Sequence, residues 1–157
     1  MFLLRKITIH ILIGLAFIIS CKSQGALTPE EAFTSLRTAY SNSDSQGVVD
    51  ILSKESIEKI RRVINMISNF GKNQLKCFSK ITGLDTTSLM NLSVRDYISL
   101  QIAIGKRLGE DVIREASQYN IIEVAFKKNR AVIKVENGLE LNFIKEGAYW
   151  KFDIDDL

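Results

Sequence analysis

The chain has 157 residues, enough for one domain, and its content of 46% apolar and 25% charged residues is ordinary for a globular protein. The formal charge of +3 includes Arg5 and Lys6 of an N-terminal apolar segment; without them 19 basic residues face 18 acidic ones, which excludes a nucleic-acid-binding protein that relies on a basic surface. The only histidine, His10, lies in the same segment, so the rest of the chain lacks the commonest general base and metal ligand, and we expect no metal and no cofactor.

Residues 1–20 have the organisation of a secretory signal peptide. Arg5 and Lys6 form a positive n-region, and an apolar run follows at 7–19. This run is too short to span a bilayer, which needs about 20 residues. We therefore predict a leader that is removed. A membrane-spanning anchor and a buried core helix are the alternatives.

The apolar run ends in Ile18-Ile19-Ser20-Cys21. A small residue followed by cysteine at this distance from the N-terminus resembles the lipobox of bacterial lipoproteins. The resemblance implies cleavage before Cys21, diacylglycerol on the Cys21 sulfur and an acylated amino group, which together anchor a protein stably. It also implies a place in the cell envelope, at the outer membrane or at the periplasmic or extracellular face of a membrane. Simple secretion is the alternative.

Cys77 is the second cysteine of the chain. If Cys21 is acylated, Cys77 has no disulfide partner. The flanking Leu75 and Phe78 favour a packed structural thiol, and the absence of an activating histidine argues against a reactive one. If Cys21 is not acylated, a Cys21–Cys77 disulfide is the alternative.

A short tether at 21–27 separates this cysteine from a single domain at 28–157. Six residues span at most about 20 Å, so the domain is expected close to the membrane. Apolar residues at helical spacing predict helices as far as residue 108, with caps at Thr28, Ser53 and Ser93 and a loop at 83–88. The apolar positions of the first predicted helix are Ala32, Phe33, Leu36, Ala39 and Tyr40.

Basic residues are concentrated at positions 54–80, where seven of them accompany two acidic residues. We hypothesise that they form a basic face turned towards anionic lipid headgroups. A solvated helix face without a partner is the alternative. The seven residues are Lys54, Lys59, Arg61, Arg62, Lys72, Lys76 and Lys80.

The period of the apolar residues becomes alternating after Asn120, which predicts four antiparallel strands in a meander. Asn137-Gly138 and Glu146-Gly147 predict two of the turns. The meander has one apolar face, and the preceding helices are the only candidates to cover it. The inward positions are predicted to be Ile122, Val124, Phe126, Ala131, Ile133, Val135, Leu139, Leu141, Phe143, Trp150, Phe152 and Ile154.

The capped first helix, the break at 42–44 and the terminal meander that ends in Tyr149-Trp150-Lys151-Phe152 resemble the nuclear-transport-factor-2-like (cystatin-like) superfamily. The similarity covers 28–53 and 120–155, and the long helical segment 54–118 departs from the family. The resemblance implies an α+β fold, with N-terminal helices packed on one face of a C-terminal four-stranded antiparallel meander in a cystatin-like roll.

Two classes of function remain. The first is a non-catalytic envelope lipoprotein that binds a protein partner or a small apolar ligand. The second is an isomerase-like or dehydratase-like enzyme with a buried carboxylate in a cavity, as in the ketosteroid isomerases of that superfamily. We expect no catalytic residue, since none of the available acids and phenols falls in a transferable motif. These groups are Asp50, Asp96, Tyr40, Tyr97 and Tyr119.

Two groups of acids have simpler interpretations. Asp96 follows Ser93 at the spacing of a helix cap. Asp153, Asp155 and Asp156 lack the spacing of a calcium loop and are interpreted as a solvated acidic tail. The only histidine lies in the leader, so a Ser-His-Asp triad is excluded in the rest of the chain.

Overall fold

The structure, a computed structural model, describes residues 25–109 and 112–154. The predicted leader, the acylated Cys21 and the acidic residues Asp155 and Asp156 lie outside the described residues. Within the described ranges, helices come first and four antiparallel strands follow, so the predicted α+β class is confirmed. None of the helices in these ranges is both long enough and apolar enough to cross a bilayer.

The helices begin where polar side chains satisfy free backbone amides. Thr28 Oγ1 accepts a hydrogen bond from the Glu31 amide, and Ser53 Oγ accepts one from the Ser56 amide, as the predicted caps require. The helices are α1 Pro29–Ser41, α2 Ser45–Ile51, α3 Lys54–Ser68, α4 Lys72–Thr82, α5 Thr86–Met90, α6 Val94–Leu108 and α7 Val112–Ala116.

Most of the predicted helical faces are confirmed, and one predicted loop is wrong. All five apolar positions of the first predicted helix are buried. The segment 83–88 is not wholly a loop, because Asp85 Oδ1 accepts the amides of Thr87 and Ser88 and starts α5. Leu108, predicted on the apolar face of α6, is 62% exposed at the last residue of that helix.

The sheet is the predicted meander, with each strand antiparallel to the next in chain order. Gly138 and Gly147 adopt positive φ angles in two of the turns, as the sequence predicts. The strands are β1 Ile121–Lys127, β2 Arg130–Val135, β3 Glu140–Glu146 and β4 Tyr149–Asp153.

One predicted position of β1 is wrong because the strand contains a bulge. The register shifts between Ile121 and Glu123, so Ile121 is the residue opposite Val135 on the inner face. Ile122, which strict alternation places inward, is 57% exposed. After the bulge the alternation resumes, with Val124 opposite the buried Ile133.

The core lies between the inner face of the sheet and the helices. Helix α1 packs against β2 and β4, and the rings of Phe143 and Phe152 lie 5.6 Å apart between their centres. Every buried side-chain nitrogen and oxygen in the described residues has a hydrogen-bond partner. The largest side chains that are fully buried include Phe143, Leu36, Ile60, Leu89 and Ile133.

Two chain segments cover the outer edge of β4. The Trp150 amide donates to the Ala26 carbonyl at 2.8 Å near the start of the strand. The Ser53 amide donates to the Phe152 carbonyl, also at 2.8 Å, near its end. The edge of β4 is therefore paired at both ends, and unpaired strand edges are otherwise prone to associate with other chains.

Candidate functional site

The most deeply buried carboxylate in the described residues is Asp153, which is 3% exposed. Its Oδ1 accepts hydrogen bonds from the hydroxyls of Ser53 at 2.7 Å and Ser56 at 3.3 Å. Its Oδ2 accepts one from Arg130 Nη1 at 3.2 Å. The prediction that Asp153 belongs to a solvated acidic tail is wrong, because the N-terminus of α3 docks on this end of β4.

This cluster fastens α3 to the sheet. The Ile154 amide donates to Ser56 Oγ at 2.8 Å, and Lys59 Nζ donates to the Ile154 carbonyl at 2.6 Å. The Asp153 carboxylate also lies at the positive end of the α3 dipole, which favours a negative charge there. Because both of its oxygens are occupied by protein donors, Asp153 serves the fold and is poorly placed to abstract a substrate proton.

An open groove of about 620 Å³ lies between α1, α2 and the start of β4. Asp44 and Asp50 are its carboxylates, and both are exposed. Asp44 accepts the Gly47 amide as the cap of α2, and Asp50 accepts a hydrogen bond from the Gln46 side chain. The groove thus offers a mixed polar and apolar surface for binding, with its acids already engaged.

A second groove, of about 660 Å³, lies between the end of α4, α5 and α6, and Asp96 is on its rim. The Ser93 hydroxyl and amide donate to Asp96 and hold the pKa of its carboxyl below the ordinary value. Asp96 therefore belongs to the predicted helix cap, which the spacing of Ser93 and Asp96 in the sequence identified correctly. A catalytic acid would need a raised pKa instead.

The remaining groups considered for an enzyme do not converge on a cavity. Asp50 and Asp96 line different grooves. Tyr40 and Tyr97 are buried in the core, where burial raises the pKa of Tyr97, and Tyr119 is half-buried against the core.

The basic residues of α4 form a continuous stripe. Lys72, Lys76 and Lys80 are spaced by four residues, are exposed, and make no ion pair with any described residue. Residues at this spacing lie on the same side of a helix. The stripe is the part of the predicted basic face that the structure brings together.

The basic residues of α3 are placed differently. Lys59 is largely buried, with its side chain 17% exposed and directed to Ile154 and Glu55. Arg61 pairs with Glu58 one turn earlier on the same helix. Since positions 59 and 61 lie about 200° apart around a helix, they cannot share a face. The exposed basic residues of α3 are Lys54, Arg61 and Arg62.

Cys77 is exposed, so the prediction of a packed thiol is wrong. Leu75 is buried and Phe78 is half-buried, as the sequence suggested. Two residues along a helix correspond to a rotation of about 200°. Because Leu75 is buried, the side chain at position 77 points away from the core.

The chain enters the described fold beside Tyr149. A Cβ atom placed on Gly25 would lie only 2.6 Å from Tyr149 Cγ, so glycine is the residue that fits against this ring. Ala26 then pairs with Trp150, and Leu27 is exposed. The tether predicted at 21–27 thus joins the domain at the start of β4.

No group of three or more histidine, cysteine and acidic side chains in the described ranges is arranged to hold a metal ion. No protein-family model, no curated protein and no solved structure matches this sequence. The resemblances to lipoproteins and to the cystatin-like superfamily therefore stay predictions.

Proposed function

We propose that the chain is a lipid-anchored lipoprotein of the bacterial cell envelope. In this proposal residues 1–20 are removed as a signal peptide, and Cys21 carries the acyl chains. The observation that carries the proposal is the sequence Ile18-Ile19-Ser20-Cys21 at the end of an apolar run. The entry of the chain into the fold at Gly25 agrees with it, because only a short tether is needed between an anchor and the domain.

The domain that follows has a non-catalytic binding or structural role in this proposal. Two features support it: the buried Asp153 has both oxygens engaged, and the exposed Asp44 and Asp96 cap helices. The groove between α1, α2 and β4 is the proposed binding site, because it combines the apolar Ile51 with hydroxyl and amide groups. A protein segment or a small apolar ligand matches this mixture.

Radioactive palmitate labelling in a bacterial host tests the anchor. The full chain is expected to incorporate palmitate and to remain with the membranes after a high-salt wash. Cys21→Ser is expected to lose both properties. Cys77→Ser is the matched control, since it also removes one thiol and leaves the proposed acylation site intact. Equal labelling of the two variants, or labelling of neither the wild type nor the control, contradicts the proposal.

A further inference from the structure

Three chain segments meet at one end of the sheet. The β1–β2 turn and the β3–β4 turn lie at this end, and the Lys145 amide joins them by donating to the Asn129 carbonyl at 2.7 Å. The Trp150 amide binds the Ala26 carbonyl at the same end. The described part of the chain therefore begins, at Gly25, at the end of the sheet that carries these two turns.

Apolar side chains are exposed at this end although the rest of the inner face is buried. Phe126 lies on the inner face of β1, opposite Ala131, yet it is 61% exposed. Its ring contacts the ring of Trp150, with 5.9 Å between the ring centres, and most of the remaining side-chain surface is exposed. Leu27 and Tyr149 are also among the exposed large apolar residues.

Three lysines lie at the same end of the sheet, one next to Phe126 on the outer face of β1, one in the β1–β2 turn and one on β3 opposite Trp150. Lys127, Lys128 and Lys145 are exposed and form no ion pair with any described residue. We name the whole set the anchor-end surface, which consists of Leu27, Phe126, Lys127, Lys128, Lys145 and Tyr149.

Three carboxylates lie nearby, equal in number to the lysines, but none of them forms an ion pair with these lysines. Glu146 is half-buried and accepts the Lys54 amide at 2.8 Å. Glu31 accepts the Leu27 amide at 2.7 Å, and Glu30 is half-buried in the first turn of α1. The anchor-end surface thus combines aromatic rings and unpaired lysines, which is the composition of protein surfaces at the level of lipid headgroups.

We propose that the anchor-end surface lies on the anionic bilayer that holds the acyl chains of Cys21. This orientation rests on the proposed lipid anchor. Three residues separate Cys21 from Gly25, and the four Cα–Cα steps between them span at most about 14 Å, so the point of attachment cannot lie far from the membrane. The acyl chains and the lysines act together, as a lipid anchor is strengthened by a basic patch.

The basic stripe of α4 is the competing membrane face, and its connection to the fold makes it the weaker candidate. Helix α3 starts beside Phe152, whose carbonyl accepts the Ser53 amide. Further along the helix, Lys59 donates to the carbonyl of Ile154. It therefore runs away from the end of β4 that holds Trp150. Helix α4 follows α3 and packs chiefly against α5, without substantial packing against any strand of the sheet that receives the chain from Ala26.

Lysine footprinting of the full chain, purified with its anchor and placed in vesicles of phosphatidylglycerol and phosphatidylethanolamine, tests the orientation. An amine-acetylating reagent that does not cross membranes is applied to these vesicles and to the protein in detergent. We expect at least threefold slower labelling of Lys127, Lys128 and Lys145 in vesicles, with Lys72, Lys76 and Lys80 unchanged.

Two outcomes overturn the orientation: protection of the α4 lysines instead, or equal labelling of both sets. The same mass spectra report the mass of the N-terminal peptide. An acylated Cys21 with equal labelling refutes the orientation alone, whereas an unmodified Cys21 refutes the proposed anchor.

Quenching by brominated lipids provides a second test, with a matched pair of variants. Phe126→Trp and Met66→Trp replace side chains that are 61% and 57% exposed, one on the anchor-end surface and one on α3. Beyond the quenching of the native Trp150, which both proteins share, we expect at least twofold more quenching of the tryptophan at position 126. Equal quenching, or more quenching at position 66, contradicts the proposal.

Discussion

The two ends of β4 are built in opposite ways. At the Asp153 end, a buried carboxylate, two serine hydroxyls and a guanidinium satisfy one another, and α3 closes the site. At the Trp150 end, Phe126 is mostly exposed and three lysines have no acidic partner in the described fold. The polar groups at the Asp153 end are satisfied by one another, whereas the Trp150 end has the composition of a surface that contacts another molecule.

This difference separates residues that maintain the fold from residues that are free to act outside it. Buried polar groups are costly unless paired, so the Asp153 end must be intact for the domain to fold. Exposed apolar and basic groups contribute little to folding, and a cluster of them is typical of a surface that contacts another molecule. Paired substitutions at the two ends measure how far this separation holds.

The largest difference in stability is expected between alanine substitutions of two phenylalanines that lie on the same face of the sheet. Phe143→Ala empties a fully buried position and should lower the free energy of unfolding by about 3–5 kcal/mol. Phe126→Ala removes a ring of the same size that is mostly exposed, and should cost at most about 1 kcal/mol. Urea denaturation of both variants checks this. Similar losses would show that Phe126 belongs to the core.

Asp153→Ala should have the next largest effect. It leaves the hydroxyls of Ser53 and Ser56 without their acceptor, and buried unsatisfied groups cost about 1–3 kcal/mol. We expect a loss of about 3 kcal/mol in the free energy of unfolding. Asp50→Ala is the control, because Asp50 is exposed, and it should change stability by less than about 0.5 kcal/mol. If the two variants lose the same free energy of unfolding, Asp153 does not fasten α3 to the sheet.

Ser93 lies at the start of α6, away from both ends of β4. Its substitution measures how much one exposed helix cap contributes to stability. Ser93→Ala should cost about 1 kcal/mol at pH 7, and Ser99→Ala, on the exposed side of α6, should cost less. The Ser93 hydroxyl lowers the pKa of Asp96 from its ordinary value of 3.8. Its stabilising effect is therefore present above that value and is lost as the pH falls below it.

Thermal denaturation of both serine variants between pH 7 and pH 2.5 checks this dependence. The stability difference between the wild type and Ser93→Ala should be constant near neutral pH and shrink below about pH 4. A difference that grows on acidification would contradict the described pairing of Ser93 with Asp96.

The smallest effect is expected at Cys77. Because its thiol is exposed, a thiol reagent should modify it in the native protein without denaturant. Cys77→Ser should change the free energy of unfolding by less than about 0.5 kcal/mol. Modification that requires denaturant, or a large loss of stability, would show that Cys77 is buried in the core.

The sequence predicts the elements of this fold better than their details. Apolar periodicity locates α1, the cap of α3 and the meander, since these depend on residues close together in the chain. The position of Ile122 is missed because a single bulged residue moves it to the other face. The end of α6 at Leu108 is predicted correctly, but the exposure of Leu108 is missed because burial there depends on neighbours from elsewhere in the fold.

The site residues show the same limit. Ser53 is recognised as a cap, but Asp153 is assigned to an acidic tail, because the hydrogen bond between the two residues spans 100 positions and leaves no local pattern. The exposure of Phe126 is likewise invisible, since alternation assigns it correctly to the inner face and says nothing about where the covering helices stop. By contrast, the lipobox-like Ile18-Ile19-Ser20-Cys21 is a local signal that needs no fold to be recognised.

The mass of the N-terminal peptide from the full chain, purified from bacterial membranes, tests the central claim most directly. We expect a peptide that begins at Cys21 and carries a diacylglycerol thioether together with an acylated amino group. An intact Met1, or a mature N-terminus at a position other than Cys21, would contradict it.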